Sequence, residues 1–351
     1  MAYYGVQGGA INLGGTTHLP VGTEMWGNDL HALYHEHLNC DITIIHRDIW
    51  VNNSEEMKRH PTLCWFPVDH ENVGEPIVTR AAETQWRATM SRFGQNELRK
   101  AGLDTFYLPH SYNPKSYNPD GPHMRKRMGI PMDAYLIISV AANKGFPMRK
   151  GFFEMFAAVA ELQKTQKDLW LYCHTNYRES EGGLNLHIVA QKTGCDMDRV
   201  RFSNPLVNAL GMTEETMAEL YRSANLYLST AYGEGFGIPI LEAQACGLPA
   251  VLVENSSQPE LLFEGQLVRE TYPFMTPHYG YMRIPRTSAI VEAIQKVRDG
   301  DLIITENSIK HFRDDYVWEN YWAPTLKDIQ AELDLMPTPI RTNTTFMEPL
   351  Q

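Results

Sequence analysis

Between residues 133 and 253, short runs of apolar and β-branched residues alternate with segments that carry apolar residues at every third or fourth position. The short runs predict strands and the longer segments predict helices. Regular alternation of the two is typical of a doubly wound parallel sheet. The predicted strands are Tyr135–Ala141, Leu169–Cys173, Val200–Phe202, Asn225–Ser229 and Ala250–Val253, and the predicted helices span 150–166, 184–194, 213–224 and 238–246.

The first 132 residues show a weaker form of the same alternation. A stretch rich in proline and asparagine, residues 109–122, predicts a loop just before the second set of strands. The predicted strands of this half are Ile42–His46, Thr62–Pro67, Gln85–Met90 and Thr105–Leu108, with helices near 29–38 and 92–101.

The pattern therefore predicts an α/β protein with two Rossmann-like domains, residues 1–132 and 133–314. Residues 315–335 have helical spacing and are expected to form a helix that packs back towards the first domain. Residues 336–351 are polar and contain three prolines, so we expect a flexible tail.

Composition excludes several classes of protein. The chain has 351 residues, of which 43% are hydrophobic and 21% are charged, and its formal net charge is −11. This apolar content excludes a globally disordered chain, and the length allows about two domains. The acidic balance argues against nucleic acid as a partner, because it provides no general attraction for polyanions.

The sequence has no recognisable membrane or export segment. Its longest nearly apolar stretch, Ala134–Ala142, is far shorter than the roughly 20 residues of a membrane-spanning helix. The segment Met1–Leu13 lacks the basic and apolar regions of a secretory signal, so a cytoplasmic location without stable membrane insertion is expected. The five cysteines are scattered and never spaced C-x-x-C, which predicts reduced thiols.

The segment from Leu228 to Val253 carries the clearest functional pattern. It predicts a strand, a glycine-rich loop, a helix and a second strand. The glycines would let the backbone approach a ligand, and the helix start would present free N–H groups and a positive dipole end. This arrangement favours a phosphate or hydroxyl-rich ligand. The loop glycines are Gly233, Gly235 and Gly237, and the residues that start and stop the helix are Pro239, Gly247 and Pro249.

Two carboxylates stand in this segment with seven residues between them, Glu234 in the loop and Glu242 in the helix. Carboxylates accept hydrogen bonds from vicinal hydroxyls, so the pair suits a sugar at one end and a ribose at the other. Either glutamate alone is more typical of a solvated surface charge. The spaced pair at a helix start favours a binding site.

Three cations, Lys144, Arg149 and Lys150, lie between a predicted strand and the next helix. Cations at a helix N-terminus oppose the helix dipole. In a chain with a net charge of −11, such a cluster is costly unless an anion binds there, and a diphosphate is the natural candidate. Solvated loop charges are the alternative interpretation.

Together these segments resemble retaining glycosyltransferase family 4, which has the GT-B fold and uses nucleotide-sugar donors. The run from Glu234 to Pro249 resembles the Glu-x7-Glu signature of that family. Lys144 and the run Arg149-Lys150-Gly151 resemble its diphosphate clamp. The resemblance covers about residues 40–330 and implies two Rossmann-like domains facing a crevice.

The resemblance implies a role for each matching residue. Glu234 would hold the hydroxyls of the donor sugar and act in catalysis, and Glu242 would bind the ribose. The segment Asp198–Phe202 resembles the strand whose end packs on the nucleotide base, which makes Phe202 a donor-binding candidate. The remaining donor-binding candidates are the residues at the helix start, Gly235, Phe236, Gly237 and Ile238.

Lys150 would hold the diphosphate and act in catalysis, with Lys144 at a position where the family usually has Arg and Arg149 as a third contact. The replacement of Arg by Lys weakens bidentate binding. The segment Trp65–Glu71 resembles the one that presents a histidine to the donor sugar, so His70 is the candidate there. A loop histidine held by a neighbouring carboxylate is the alternative.

The implied reaction is transfer from a UDP- or GDP-sugar with retention, in which the leaving diphosphate takes the proton of the acceptor. The resemblance implies no enzyme nucleophile, metal or other cofactor, because cations stabilise the leaving group. The acceptor stays open among a glycan, a glycolipid, a protein and a modified base. Another GT-B enzyme, such as a nucleotide-sugar epimerase or a phosphorylase, and a non-catalytic sugar-nucleotide-binding protein are the alternatives.

The start of the chain departs from the family pattern, because residues 1–15 lack the usual opening strand and glycine-rich turn. We therefore expect a shortened first domain and a true start upstream of Met1. An acceptor pocket of different construction and a pocket completed by a partner chain are the alternatives.

Three further patterns are interpreted as structural. Asp196 and Asp198 form a D-x-D pattern in a predicted helix-to-strand loop, where turn acids are expected rather than a metal site. The histidines at 31, 35 and 37 have zinc-like spacing without a complete motif, which favours a polar helix face. The glycine pairs at 8–9 and 14–15 predict flexible loops.

Overall fold

The computed structural model describes residues 11–13, 15–20, 22–145, 148–179, 182–300, 303–304, 316 and 318–336. The glycine pair at 8–9, Gly14 and nearly all of the expected tail lie outside the described residues.

The first parallel sheet has four strands in the order β3-β4-β5-β6. A short hairpin, β1 with β2, precedes it. The strands of this half are β1 (Ile11–Leu13), β2 (Thr16–His18), β3 (Thr43–His46), β4 (Thr62–Phe66), β5 (Trp86–Thr89) and β6 (Phe106–Tyr107). The helices are α1 (His31–Leu38), α2 (Ser54–Met57), α3 (Glu75–Ala82), α4 (Arg92–Lys100) and α5 (Arg125–Met128).

The second sheet has seven strands in the order β15-β12-β11-β10-β7-β8-β9, and all its pairs are parallel except β12 with β15. Its strands are β7 (Tyr135–Val140), β8 (Leu169–His174), β9 (Val200–Phe202), β10 (Leu226–Leu228), β11 (Ala250–Val253), β12 (Glu264–Val268) and β15 (Ile303–Ile304). Its helices are α6 (Phe152–Thr165), α7 (Leu186–Thr193), α8 (Pro205–Leu210), α9 (Glu214–Arg222), α10 (Ile238–Ala245) and α11 (Thr287–Arg298).

A separate antiparallel hairpin, β13 (Thr271–Met275) with β14 (Tyr281–Pro285), follows the second sheet's strand β12. The last helix among the described residues is the long helix α12 (Trp318–Leu335). Among the described residues there are also three short 3-10 turns, at Ile49–Val51, Met197–Arg199 and Gln258–Leu261.

Each sheet is buried on both faces, as the alternation of side chains along a strand requires. In β7, Leu136 and Ile138 belong to one apolar cluster, and Ile137, which points the other way, belongs to a second. In β4, Leu63 likewise packs on the opposite side from Cys64. A strand that is buried on both faces needs apolar residues at consecutive positions, which explains the continuous apolar runs in these strands.

Helix α12 covers one face of the first sheet. Trp322 is 4% exposed and its ring lies 4.7 Å from that of Trp65, edge to face. The indole nitrogen of Trp322 donates to the carbonyl oxygen of Pro109 at 3.3 Å, and Ile329 is buried beside Leu63. The chain thus returns to the first domain after completing the second sheet.

The predicted architecture of two parallel-sheet α/β domains is confirmed, while the domain limits stay a prediction. Residues 109–122 form neither helix nor strand. The sequence pattern missed the helices α2, α3, α5, α8 and α11 and the strands from β12 onward.

The polar helix face expected for α1 is wrong at one position. His35 is buried, its ring stacks on that of His60 at 4.2 Å, and its Nδ1 lies 2.8 Å from Oγ1 of Thr43.

Candidate functional site

A crevice of about 590 Å³ lies between the carboxyl ends of the two parallel sheets. Ligands of open α/β sheets bind at this edge, because loops and helix N-termini converge there. The first domain contributes Pro67, Met90 and His110, which follow or end its strands. The second domain contributes the loop after β7, the end of β8 and the start of α10.

The start of α10 lies in this crevice as its sequence predicts. Gly237 caps the helix with a φ of 108°, a conformation that favours glycine, and a proline stands in the first turn. Of the predicted donor-binding residues, the crevice lining includes Gly235, Phe236, Gly237 and Ile238.

The predicted cations and one of the two glutamates meet in the same crevice. Nζ of Lys150 donates to Oε1 of Glu234. NH1 of Arg149 lies 3.7 Å from Oε2 of Glu234 and donates to the carbonyl oxygen of Gly233 at 2.8 Å. Lys144 also lines the crevice. Residues that the sequence separates by 84 positions thus form one charged cluster.

This cluster extends across the domain boundary to Asp69. Its Oδ2 lies 3.8 Å from NH1 of Arg149, and its Oδ1 lies 2.9 Å from Nδ1 of His70. Burial raises the pKa of Asp69, but the hydrogen bond from His70 and the charge of Arg149 outweigh it and lower the pKa overall. Asp69 is therefore a carboxylate at neutral pH.

Burial lowers the pKa of both cations, but the net shifts of the two are opposite. Burial lowers the pKa of Lys150, and the nearby carboxylate of Glu234 only partly opposes the effect. Burial also lowers the pKa of Arg149, but Glu234 and Asp69 outweigh it and raise the pKa. The side chains of Lys150 and Glu234 are only 18% and 14% exposed, so solvent screens their charges weakly.

Two of the loop glycines also serve a close contact between the two domains, and their approach to a ligand stays a prediction. A Cβ on Gly235 would lie 2.2 Å from Cβ of Pro67, and one on Gly233 would lie 2.0 Å from the carbonyl oxygen of Asp69. Neither glycine position has room for a side chain. These glycines allow the loop of the second domain to pack directly against the loop after β4.

His70 does not line the crevice. Its side chain is 3% exposed, and its Nε2 is buried without a hydrogen-bond partner. The ring lies under Gly280, at the turn between β13 and β14, where a Cβ would be 1.9 Å from Cδ2 of His70. The alternative interpretation of a histidine held by a neighbouring carboxylate describes this geometry, and its contact with a donor sugar stays a prediction.

Glu242 and Phe202 also lie outside the crevice lining. The carboxylate of Glu242 accepts a hydrogen bond from Tyr221 at 2.8 Å, and burial raises its pKa. Phe202 packs against Phe156 and Tyr177. Their roles at the ribose and the base therefore stay predictions.

Several crevice residues were missed from the sequence: Pro67, Met90, His110, His174, Asn176 and Asn208. Most of them follow parallel strands, so the rule that sites form at carboxyl ends could have found them. Burial lowers the pKa of His110 to about 4, so this imidazole is neutral at physiological pH.

No group of His, Cys, Asp or Glu suited to a metal ion occurs among the described residues. Asp196 caps a 3-10 turn by accepting from the backbone N–H of Asp198 and also pairs with Arg199 at 2.8 Å. The prediction of turn acids is confirmed at Asp196.

All five cysteines are free. No helix within the described ranges has the length and apolar character to cross a membrane.

The part of the chain that carries the cation and glutamate cluster is similar to a known protein family. Residues 145–299 match the family model described as glycosyl transferases group 1. Over these residues, the chain is similar to the glycosyl transferases group 1 family. The chain is 28% identical over 129 residues to a probable sucrose-phosphate synthase of Thermosipho melanesiensis, covering 36% of this chain and 27% of that protein.

The chain is also 34% identical over 147 residues to a D-inositol 3-phosphate glycosyltransferase of Streptomyces bingchenggensis, covering 40% of this chain and 30% of that protein. These matches span less than a third of the length of those two relatives.

Solved structures share the whole GT-B fold. A sucrose-phosphate synthase from Thermosynechococcus elongatus has a TM-score of 0.70 at 18% identity, covering 93% of this chain and 86% of that one. A pneumococcal O-GlcNAc transferase in complex with UDP and GlcNAc has a TM-score of 0.59 at 12% identity, covering 93% and 65%. The GT-B architecture predicted from the sequence is confirmed.

Proposed function

We propose that the protein is a glycosyltransferase that transfers a sugar from a nucleoside-diphosphate sugar, with UDP or GDP as the nucleotide, to an acceptor with retention of anomeric configuration. The carrying observation is the cluster of Lys150, Arg149 and Glu234 beside the start of α10, inside the crevice between the two sheets. The group 1 match and the UDP complex of a structural neighbour support a nucleotide-sugar donor.

The cations and the helix start would hold the diphosphate. In this structure Glu234 pairs with Lys150, and Arg149 lies between Glu234 at 3.7 Å and Asp69 at 3.8 Å. A bound diphosphate would supply that negative charge instead, which frees the carboxylate of Glu234 to accept hydrogen bonds from sugar hydroxyls. Binding would thus exchange one set of charge pairs for another within a weakly screened site.

During transfer, negative charge builds up on the leaving diphosphate. Fixed donors and cations that face this charge stabilise the transition state more than the ground state. Lys150, Arg149 and the N–H groups of the helix start would provide this stabilisation without a metal ion. We propose that the leaving group accepts the proton of the acceptor hydroxyl, so that no enzyme base is needed.

A thermal-shift panel tests the donor site. UDP, GDP and ADP are each added with and without Mg²⁺ to the wild type and to Lys150→Ala. A ligand at a hundredfold excess over its Kd stabilises a protein by about 2.7 kcal/mol. We expect one of UDP and GDP to raise the Tm without the metal, and the variant to lose most of that shift. Equal shifts in both proteins would remove Lys150 from the site.

Product analysis separates the proposed activity from its alternatives. With the sugar of the selected nucleotide, a glycosyltransferase releases nucleoside diphosphate slowly in water and faster with a suitable acceptor. A nucleotide-sugar epimerase would release no nucleotide, and a phosphorylase would require inorganic phosphate. A non-catalytic sugar-nucleotide-binding protein would show the thermal shift without turnover.

A further inference from the structure

The hairpin of β13 and β14, residues 271–285, extends from the second domain onto the first; it is called the latch hairpin below. The backbone N–H of Glu71 donates to the carbonyl oxygen of Tyr281 at 2.8 Å, and the N–H of Tyr281 donates back to Glu71 at 2.8 Å. The hairpin thus adds a β-bridge to the loop that follows strand β4.

An ion pair reinforces this bridge. Nε and NH2 of Arg283 donate to the two carboxylate oxygens of Glu71 at 2.9 and 2.8 Å. Such a bidentate pair is stronger and more directional than a single contact. The hydrogen bond and the charge of Glu71 raise the pKa of Arg283. On its other side, the backbone N–H of Arg283 donates to the carbonyl oxygen of Tyr232, which anchors the hairpin in the second domain.

Two glycines show that the contact is close-packed rather than incidental. A Cβ on Gly280 would lie 1.9 Å from His70, and a Cβ on Gly74 would lie 1.7 Å from the carbonyl oxygen of His278. Neither glycine has a positive φ, so space rather than backbone conformation requires glycine there. The ring of His278 also packs on Trp50 of the first domain at 4.8 Å.

We propose that the latch hairpin holds the two domains together beside the crevice, and that Arg283 is a positioning residue acting through Glu71. The loop it grips also carries Pro67 and Asp69, which touch Gly235 and Gly233 beside the charge cluster. Separating the sheets must therefore break the bridge and the ion pair at Glu71 as well as the glycine contacts. The effect on nucleotide exchange rests on the proposed function, whereas the latch itself does not.

Hydrogen exchange and small-angle scattering test the latch without any nucleotide. We expect Arg283→Gln and Glu71→Gln each to speed exchange in residues 67–71 about tenfold, which corresponds to ~1.4 kcal/mol, and to increase the radius of gyration. The reversed pair Glu71→Arg with Arg283→Glu should recover much of the protection. Exchange in strand β11, which is buried in the second sheet, should stay slow and reports that each variant is folded.

Arg269→Gln is the matched control, because Arg269 lies near the base of the hairpin and pairs at 3.2 Å with Glu254, which also belongs to the second domain. The control should behave as the wild type. Wild-type exchange and scattering in both Arg283→Gln and Glu71→Gln would overturn the latch, as would an equal effect of Arg269→Gln.

Release of UDP or GDP, followed by stopped flow, gives the functional readout. Faster release in Arg283→Gln than in Arg269→Gln is expected, with KM for the donor raised more than kcat is lowered. If neither nucleotide binds the wild type while the exchange differences persist, the donor site fails and the latch stands. An unchanged release rate in a variant whose loop exchanges faster would overturn the link between the latch and the crevice.

Discussion

Replacing Lys150 with methionine should affect folding and nucleotide binding in separable ways. The variant shortens the side chain by one heavy atom and leaves Glu234, 14% exposed, without its nearest cation. Breaking a buried ion pair by removing one partner costs about 3–5 kcal/mol. Arg149 remains 3.7 Å from Glu234, so we expect the lower end, ~3 kcal/mol, in the free energy of unfolding.

Nucleotide binding should weaken as well. Hydrogen bonds to charged groups contribute about 1.5–3 kcal/mol, so Lys150→Met should raise the Kd for the selected nucleoside diphosphate by about 10- to 100-fold. The double variant Lys150→Met with Glu234→Gln should recover most of the stability, because the uncompensated carboxylate is gone. It should not recover the affinity, because the cation is still absent.

Urea denaturation measures the first effect and isothermal titration calorimetry measures the second. Lys164→Met is the control, since Lys164 pairs with Glu161 on an exposed helix surface where both side chains are more than half exposed. That variant should change the unfolding free energy by less than about 0.5 kcal/mol. A double variant no more stable than Lys150→Met would refute the reasoning about the buried charge. Wild-type affinity in Lys150→Met would refute the site.

Two other perturbations follow from the crevice. Gly235→Ala places a Cβ 2.2 Å from Pro67, and overpacking of this kind costs about 1–3 kcal/mol, so a lower Tm by calorimetry is expected; an unchanged Tm would show that the loops part freely. Because burial lowers the pKa of His110 from 6.5 to about 4, the unfolded chain binds the proton first, so stability should fall as pH drops through this range. His110→Gln should flatten that part of the pH profile in urea titrations, and a profile identical to the wild type would contradict the burial argument.

The predictability of the fold varied with how each strand is buried. Strands such as β7, β8 and β11 have long apolar runs, because helices cover both faces of the sheet. Strand β12 alternates buried Gly265 and half-buried Gln266, and β13 contains a proline, so neither carries such a run. Most residues of the missed strands β12, β13 and β14 are half-buried or exposed, whereas the missed helix α11 buries Ile290 and Ile294 and does not follow this rule.

The candidate site shows the same limit. The spacing of Lys150 and Glu234 in their loops predicted that both would reach the crevice, because strand order in an α/β sheet brings those loops together. Sequence spacing could not identify the residues from remote segments that contact Glu242 and His70. The hydroxyl of Tyr221 donates a hydrogen bond to the carboxylate of Glu242. Gly280, which is more than 200 positions from His70 in the sequence, packs on its ring.

The return of helix α12 to the first domain has a mechanical consequence. The chain passes between the two sheets once after β6 and a second time before α12. A single break in either connection would therefore leave the two domains covalently joined through the other. Removing α12 would also uncover Leu63 and Trp86, which lie in its apolar cluster.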